Sequence, residues 1–319
     1  MEITRYLTIA PIQTAGKILF LMALGLLLGS SLLAFISEIK FKADSRTNIS
    51  VMSHNLTRAS WLWLLLFALV GGTIVFLPRL PTLETSPQLL ISALAGSGAL
   101  LFFLIYHFTG KLITNKFLHT PLALLSLAGA LGAAIYWYHL PQTWAAWSQT
   151  VKTPTTSEEI FHWWLGRDEI AFFLHFFLNA VALAALFFML ANAGEKEKKR
   201  KQTREYYFQA SAYAGSWLLS VTTLQILPLS WLFYQQFTAS PTQFLSPPEI
   251  YWLAAILTFF LLGWLLLIKI TRDGLVNRRA SMIIGLCFIV SLSLFHLHNA
   301  ESAKSTTKPA PETTTQLNN

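Results

Sequence analysis

Long apolar stretches alternate with short polar ones along the whole chain, at the length a helix needs to cross a bilayer, roughly 20 residues. Eight such stretches occur, near 17–36, 60–76, 88–108, 121–138, 170–191, 211–233, 250–268 and 281–298. None alternates with the period of two that a half-buried strand requires. The pattern predicts an all-α polytopic membrane protein with eight transmembrane helices. The first stretch is long, starts late and lacks a small-residue cleavage site, so it reads as a span and not as a cleaved signal.

The polar connections carry an orientation. The loops after spans 1, 3, 5 and 7 hold Lys40, Lys42, Arg46 and Arg58; Lys111 and Lys116; Lys196, Lys198, Lys199, Arg200, Lys201 and Arg204; and Lys269, Arg272, Arg278 and Arg279. That is sixteen of the 23 basic residues. Loops rich in Lys and Arg stay on the cytoplasmic side, so both termini are expected outside a bacterial inner membrane. Trp and Tyr gather where interfaces are predicted, as at Trp61, Trp63, Tyr136, Trp137, Tyr138, Trp163, Trp164, Tyr251 and Trp252.

Composition agrees with this reading and narrows it. Of 319 residues, 54% are hydrophobic and 12% charged, about half the charge usual in soluble domains. The net charge of +8 could indicate nucleic acid. Its placement in alternate loops makes it an orientation signal, and the run EKEKKRKQTR at 195–204 falls under the same explanation. One cysteine, Cys287, excludes an internal disulfide and any cysteine-clustered metal site, and it reads as a packing residue.

Residues 1–140 and 169–300 read as two copies of a four-helix unit. Ser60-Trp61-Leu62 pairs with Ser216-Trp217-Leu218, and Lys111 with Arg272. An even number of spans gives the copies the same orientation, hence two tandem four-helix bundles. Gly25, Gly29, Gly71, Gly72, Gly96, Gly98, Gly129 and Gly132 are expected to permit close helix contact. The outer connection, placed at 141–168 with its edges at Leu140 and Glu169, holds four tryptophans and a short helix predicted at 157–165. The tail at 301–319 is Thr- and Pro-rich and predicted disordered.

All charged side chains fall in loops or at span ends, which argues against ion-coupled transport through buried carboxylates or lysines. No GxxxxGK[ST], HExxH or GxSxG motif occurs. Chemistry in the spans must then rest on histidines, amides or a cofactor. His139, His175, His296 and His298 are predicted in one leaflet, and His175 is the deepest. Imidazoles on facing helices can ligate haem iron, with Arg167 placed near the propionates. Asn179, one turn after His175, shares its face and could bond a ligand. His54 and His107 read as a loop and an interface residue. Thr222, Thr223 and Gln225 are expected to bond across helices.

The segments FFLHFFLNAVALAALFFM at 172–189 and TLQILPLSWLFY at 223–234 resemble eight-span proteins distantly related to the large subunit of cytochrome bd quinol oxidases. That resemblance implies a b-type haem on His175, and the histidines of the same leaflet, His298, His296 or His139, are the candidates for the second ligand. It also implies contact with quinone or quinol, and electron transfer to a periplasmic cytochrome or larger respiratory complex. The GRQPW signature and the membrane glutamates of those oxidases are absent, so an oxygen-reducing site is not expected. A weaker resemblance is to the copper-resistance D family, through the eight spans, the basic loops and a histidine opening span 5. Two alternatives to the cytochrome or quinone reading therefore stand: a copper or small-solute permease, and a cofactor-free scaffold or assembly subunit.

Overall fold

The computed structural model describes residues 10–42, 50–77, 87–109, 116–147, 167–192, 204–239, 247–273, 279–291 and 294. These residues are helical almost throughout. We label the helices α1 (Ala10–Lys42), α2 (Ser50–Phe76), α3 (Pro87–Thr109), α4 (Lys116–Trp147), α5 (Arg167–Asn192), α6 (Arg204–Leu224), α7 (Ile226–Ala239) and α8 (Pro247–Asp273). A shorter apolar helix, α9 (Arg279–Ser291), follows.

Five helical segments are long and apolar enough to cross a membrane: Ala15–Ile39, His54–Phe76, Ile170–Asn192, Gln209–Gln235 and Ile250–Arg272. The chain is a helical membrane protein. Shorter apolar helices at Ala93–Thr109, Thr120–Ile135 and Arg279–Ser291 coincide with the third, fourth and eighth predicted stretches.

The helices differ in depth within the protein. The apolar part of α1 is 61% buried, and that of α8 only 22%. Helix α1 lies against α2, α4 and α5, while α5 lies against α1 and α6. The core follows that axis, through Leu26, Leu28, Leu33, Ala180, Ala184, Ala185, Phe188 and Met189. In lipid there is no hydrophobic gain in bringing two apolar helices together, so close approach of small residues has to hold them. At Gly29 a Cβ would collide with the backbone carbonyl of Ala180 and with Ala184. At Gly71 it would collide with the α1 backbone at Phe20 and Gly16. Gly129 approaches Ala99, so α3 and α4 are held in the same way. Gly72 and Gly98 have nothing within 4 Å of a Cβ, and the packing role expected of them is not seen.

Short neutral hydrogen bonds add to this packing. Ser30 donates to Ser60 at 3.0 Å, joining α1 to α2. Ser31 and Ser126 share a bond at 2.7 Å, joining α1 to α4. Among the described residues every buried polar side chain outside tyrosine is Ser, Thr, His or Gln, and no Asp, Glu, Lys or Arg is buried.

Three expectations change. The connection placed at 141–168 is shorter, because α4 runs on to Trp147 through Pro141 and α5 opens at Arg167. The fourth apolar stretch ends near Tyr138, but a helix stops where its hydrogen bonding stops and not where its hydropathy falls. Helix α2 begins at Ser50, ten residues before its apolar stretch, and so takes in His54. The sixth stretch is broken at Gln225, between α6 and α7. The helix at 157–165, the loop basic residues at 195–203 and the tail at 301–319 lie outside the described residues.

Candidate functional site

The break at Gln225 has a local cause. Pro228 has no backbone N–H, so the carbonyl of Leu224 loses its helical partner and the helix bends. The bonds on either side survive: Gln225 N to Val221 O at 3.0 Å, and Leu229 N to Gln225 O at 3.1 Å. At this position the Gln225 side chain is buried and reaches α5.

There it meets a polar pair set by helical spacing. His175 and Asn179 are four residues apart on α5 and share a face. Gln225 Nε2 donates to Asn179 Oδ1 at 2.6 Å. Asn179 Nδ2 bonds His175 Nε2 at 3.0 Å. An amide nitrogen can only donate, so Nε2 accepts, and the proton of the neutral imidazole is on Nδ1. The result is a chain of three neutral groups, Gln225 to Asn179 to His175, with a defined direction. His175 is 8% exposed, in a wall that includes Ala171 and Leu178. It lies about 7 Å along α5 from the start of the apolar segment at Ile170.

The neighbouring threonines behave differently from one another. Thr222 donates back to Leu218 O at 2.6 Å within its own helix, so it makes no cross-helix bond of the kind expected. Thr223 donates to Leu219 O at 2.8 Å and accepts from Trp264 Nε1 of α8 at 3.1 Å, which ties α8 beside the bend.

The other candidates are less informative. Arg167 opens α5, and His139 lies in α4, but neither side chain is described. His296 and His298 lie outside the described residues. Among the described residues, no three His, Cys, Asp or Glu side chains come together as a metal group. Asn179, expected to face a ligand, bonds His175 itself. The atom of His175 that an iron would ordinarily take, Nε2, is the one that Asn179 holds.

A second polar cluster lies where α1 ends and α2 begins, and the sequence reading missed it. His54, Thr57 and Trp61 are spaced i, i+3 and i+7 on α2, hence on one face. His107 of α3 packs across them. Its ring is stacked on His54 (centroids 5.0 Å apart, planes 7° apart) and on Trp61 (5.7 Å, 23°). Thr57 Oγ1 lies 3.0 Å from His107 Nδ1. Nearby, Tyr106 donates to Glu38 of α1 at 2.7 Å, and Asn55 donates to the Tyr206 hydroxyl of α6 at 2.7 Å. The spacing is present in the sequence, but the apolar stretch begins at Ser60, and His54 lies before it among polar residues.

Burial pushes the Tyr206 phenol up to about 12, against the opposite pull of the Asn55 hydrogen bond, with a further rise from Tyr207. Tyr206 is therefore neutral at any ordinary pH and serves this cluster as a hydrogen-bonding group. No protein-family model matches the sequence, and no curated protein matches it.

Proposed function

We propose that this chain is a quinone-interacting subunit of a bacterial inner-membrane electron-transfer complex, binding its ligand in the outer leaflet at His175. In this reading the eight apolar stretches are eight spans in two tandem four-helix units. Both termini face outward, and the basic loops face the cytoplasm. The observation that supports the binding site is the directed chain Gln225–Asn179–His175 at the Pro228 bend.

The chemistry follows from the donors. A quinone head group is a neutral ring with two carbonyl acceptors on an apolar tail, and it reaches its site through the hydrocarbon phase. A buried neutral N–H donor suits it better than a charge does, because a charge has a large desolvation cost at that depth. Gln225 orients Asn179, and Asn179 fixes the His175 tautomer with its proton on Nδ1. That ring N–H is the donor for a quinone carbonyl. The bend at Gln225 and the Trp264–Thr223 bond hold α6 and α8 beside it. Electrons would be exchanged with a periplasmic cytochrome or a larger respiratory complex.

Iron ligation at Nε2 of His175 would require Asn179 to leave that atom, and the side chains of the candidate partners His139, His296 and His298 lie outside the described residues.

The test is saturable binding of a short-chain quinone to the purified chain in nanodiscs, read by tryptophan fluorescence quenching. Binding that weakens about five- to thirtyfold in His175→Leu and in Gln225→Leu is expected, since each removes a link worth about 1–2 kcal/mol. Unchanged binding in both variants would reject the site. A reduced-minus-oxidised Soret signal lost in His175→Ala would replace this reading with the cytochrome one. Neither quinone binding nor chromophore would leave the cofactor-free subunit.

A further inference from the structure

We infer that Trp264 of α8 is a positioning residue: through Thr223 it sets where the Gln225 amide stands at the proposed quinone site. The role rests on the quinone reading for its ligand, and on the bend alone for its geometry. The missing N–H at Pro228 lets the helix bend, but it leaves the turn before the break free to shift. Side chains from neighbouring helices have to hold that turn.

Two threonines prepare it. Thr222 donates to Leu218 O at 2.6 Å, and Thr223 to Leu219 O at 2.8 Å. A hydroxyl bonded back to the carbonyl four residues earlier favours bending. Thr223 does one thing more. Its single proton is on Leu219 O, so toward α8 its oxygen accepts. The Trp264 indole can only donate, and it supplies its Nε1–H across 3.1 Å. Both residues lie inside segments long and apolar enough to cross a membrane, where no water competes for the bond.

Gln225 follows Thr223 by two residues, about 200° further around the helix axis. The two side chains therefore leave the turn on opposite sides. Thr223 meets Trp264 of α8, and Gln225 meets Asn179 of α5 at 2.6 Å. The turn is gripped from both sides. With the α8 grip released, the turn can rotate, and the Gln225 amide moves with it. This gives α8 a part in the site although it lies against α6 and not along α5. Its apolar segment is only 22% buried, with Leu261, Leu262 and Leu265 exposed. Whatever displaces α8 in the membrane displaces Trp264, and with it Gln225.

The experiment uses full-length protein, labelled with ¹⁵N-glutamine, in nanodiscs. It reads the Gln225 side-chain amide signal, assigned by its loss in Gln225→Leu, and the affinity for a short-chain quinone. Trp264→Phe keeps an aromatic ring without the N–H. Thr223→Val keeps the volume without the acceptor, and Thr223→Ser keeps the acceptor. Trp264→Phe and Thr223→Val are each expected to shift the Gln225 signal and weaken quinone binding about three- to tenfold. The two together should cost no more than either alone, because they remove the same bond. Thr223→Ser should match the wild type in both readouts. A Gln225 signal unmoved in Trp264→Phe and in Thr223→Val overturns the inference. So do losses of affinity that add in the double variant, or a loss that Thr223→Ser shares. A Gln225 signal that moves as expected in a protein that binds no quinone supports the positioning role and removes the quinone reading.

Discussion

At the scale of the residue, most of the buried side-chain hydrogen bonds between these helices join neutral groups, as at Ser30–Ser60, Ser31–Ser126 and Gln225–Asn179. Tyr206 can ionise, and burial opposes it. Its phenol is raised from 10.0 to about 12 chiefly by burial, so the folded state holds the proton more tightly than the unfolded state does. The contribution is fully present below pH 10 and is lost as pH rises through about 12. Two pH units of difference correspond to about 2–3 kcal/mol. Thermal unfolding at pH 10 and pH 12 should show the wild type losing about 2 kcal/mol more stability than Tyr206→Phe, which has no phenol to ionise, since this interval covers most of the difference. Equal losses would mean that Tyr206 ionises as readily in the folded protein as in the unfolded chain. A residue's chemistry was only partly legible in the sequence. That His175 and Asn179 share a face follows from their spacing. That Asn179 bonds the histidine, and so selects its tautomer, depends on Gln225 from another helix, and no local pattern encodes that.

At the scale of the element, the informative departures are at helix ends and at one bend. Hydropathy found the apolar middles of the helices because lipid selects them. It could not find the polar first turns of α2 or the end of α4, because helical hydrogen bonding continues where apolar side chains stop. The histidine cluster at His54 and His107 was lost with those turns. The break in the sixth stretch was legible in Pro228, but its purpose was not. Proline in a helix interior is unfavourable by about 3 kcal/mol, so retaining it implies a use for the bend. Pro228→Ala should restore the N–H that Leu224 lacks and straighten the helix. It should also draw Gln225 away from Asn179. The expected outcome is a higher melting temperature together with quinone binding weakened at least about tenfold. If stability rises while binding is retained, the bend does not serve the site.

At the scale of the whole molecule, the question is what joins the two halves. The two triplets expected to correspond, at Ser60 and Ser216, do not present equivalent faces: Ser60 is buried and bonded to Ser30, while Ser216 is exposed. The joint is α1 against α5, where Gly25 and Gly29 let the α5 backbone at Ala180 approach closely. Tyr213 of α6 adds a bond to the Leu33 carbonyl at 3.4 Å, and Asn55 a second tie to α6. None of these contacts involves the connection between α4 and α5. Residues 1–150 and 151–319, produced together as separate chains, should therefore find each other and co-purify. Gly29→Leu should abolish that association, because its side chain would have to occupy the space of the Ala180 carbonyl, and neither backbone can withdraw without unpacking the core. In the intact chain the same change should lower stability by about 1–3 kcal/mol, the usual cost of overpacking, without separating the halves, since the connection keeps them at high effective concentration. Gly72→Leu is the control: that position is open, and both measurements should stay at the wild-type value. If the separate halves associate as well with Gly29→Leu as without it, the contact between α1 and α5 is incidental. The tie would then have to come from the polar bonds of α2 and α6.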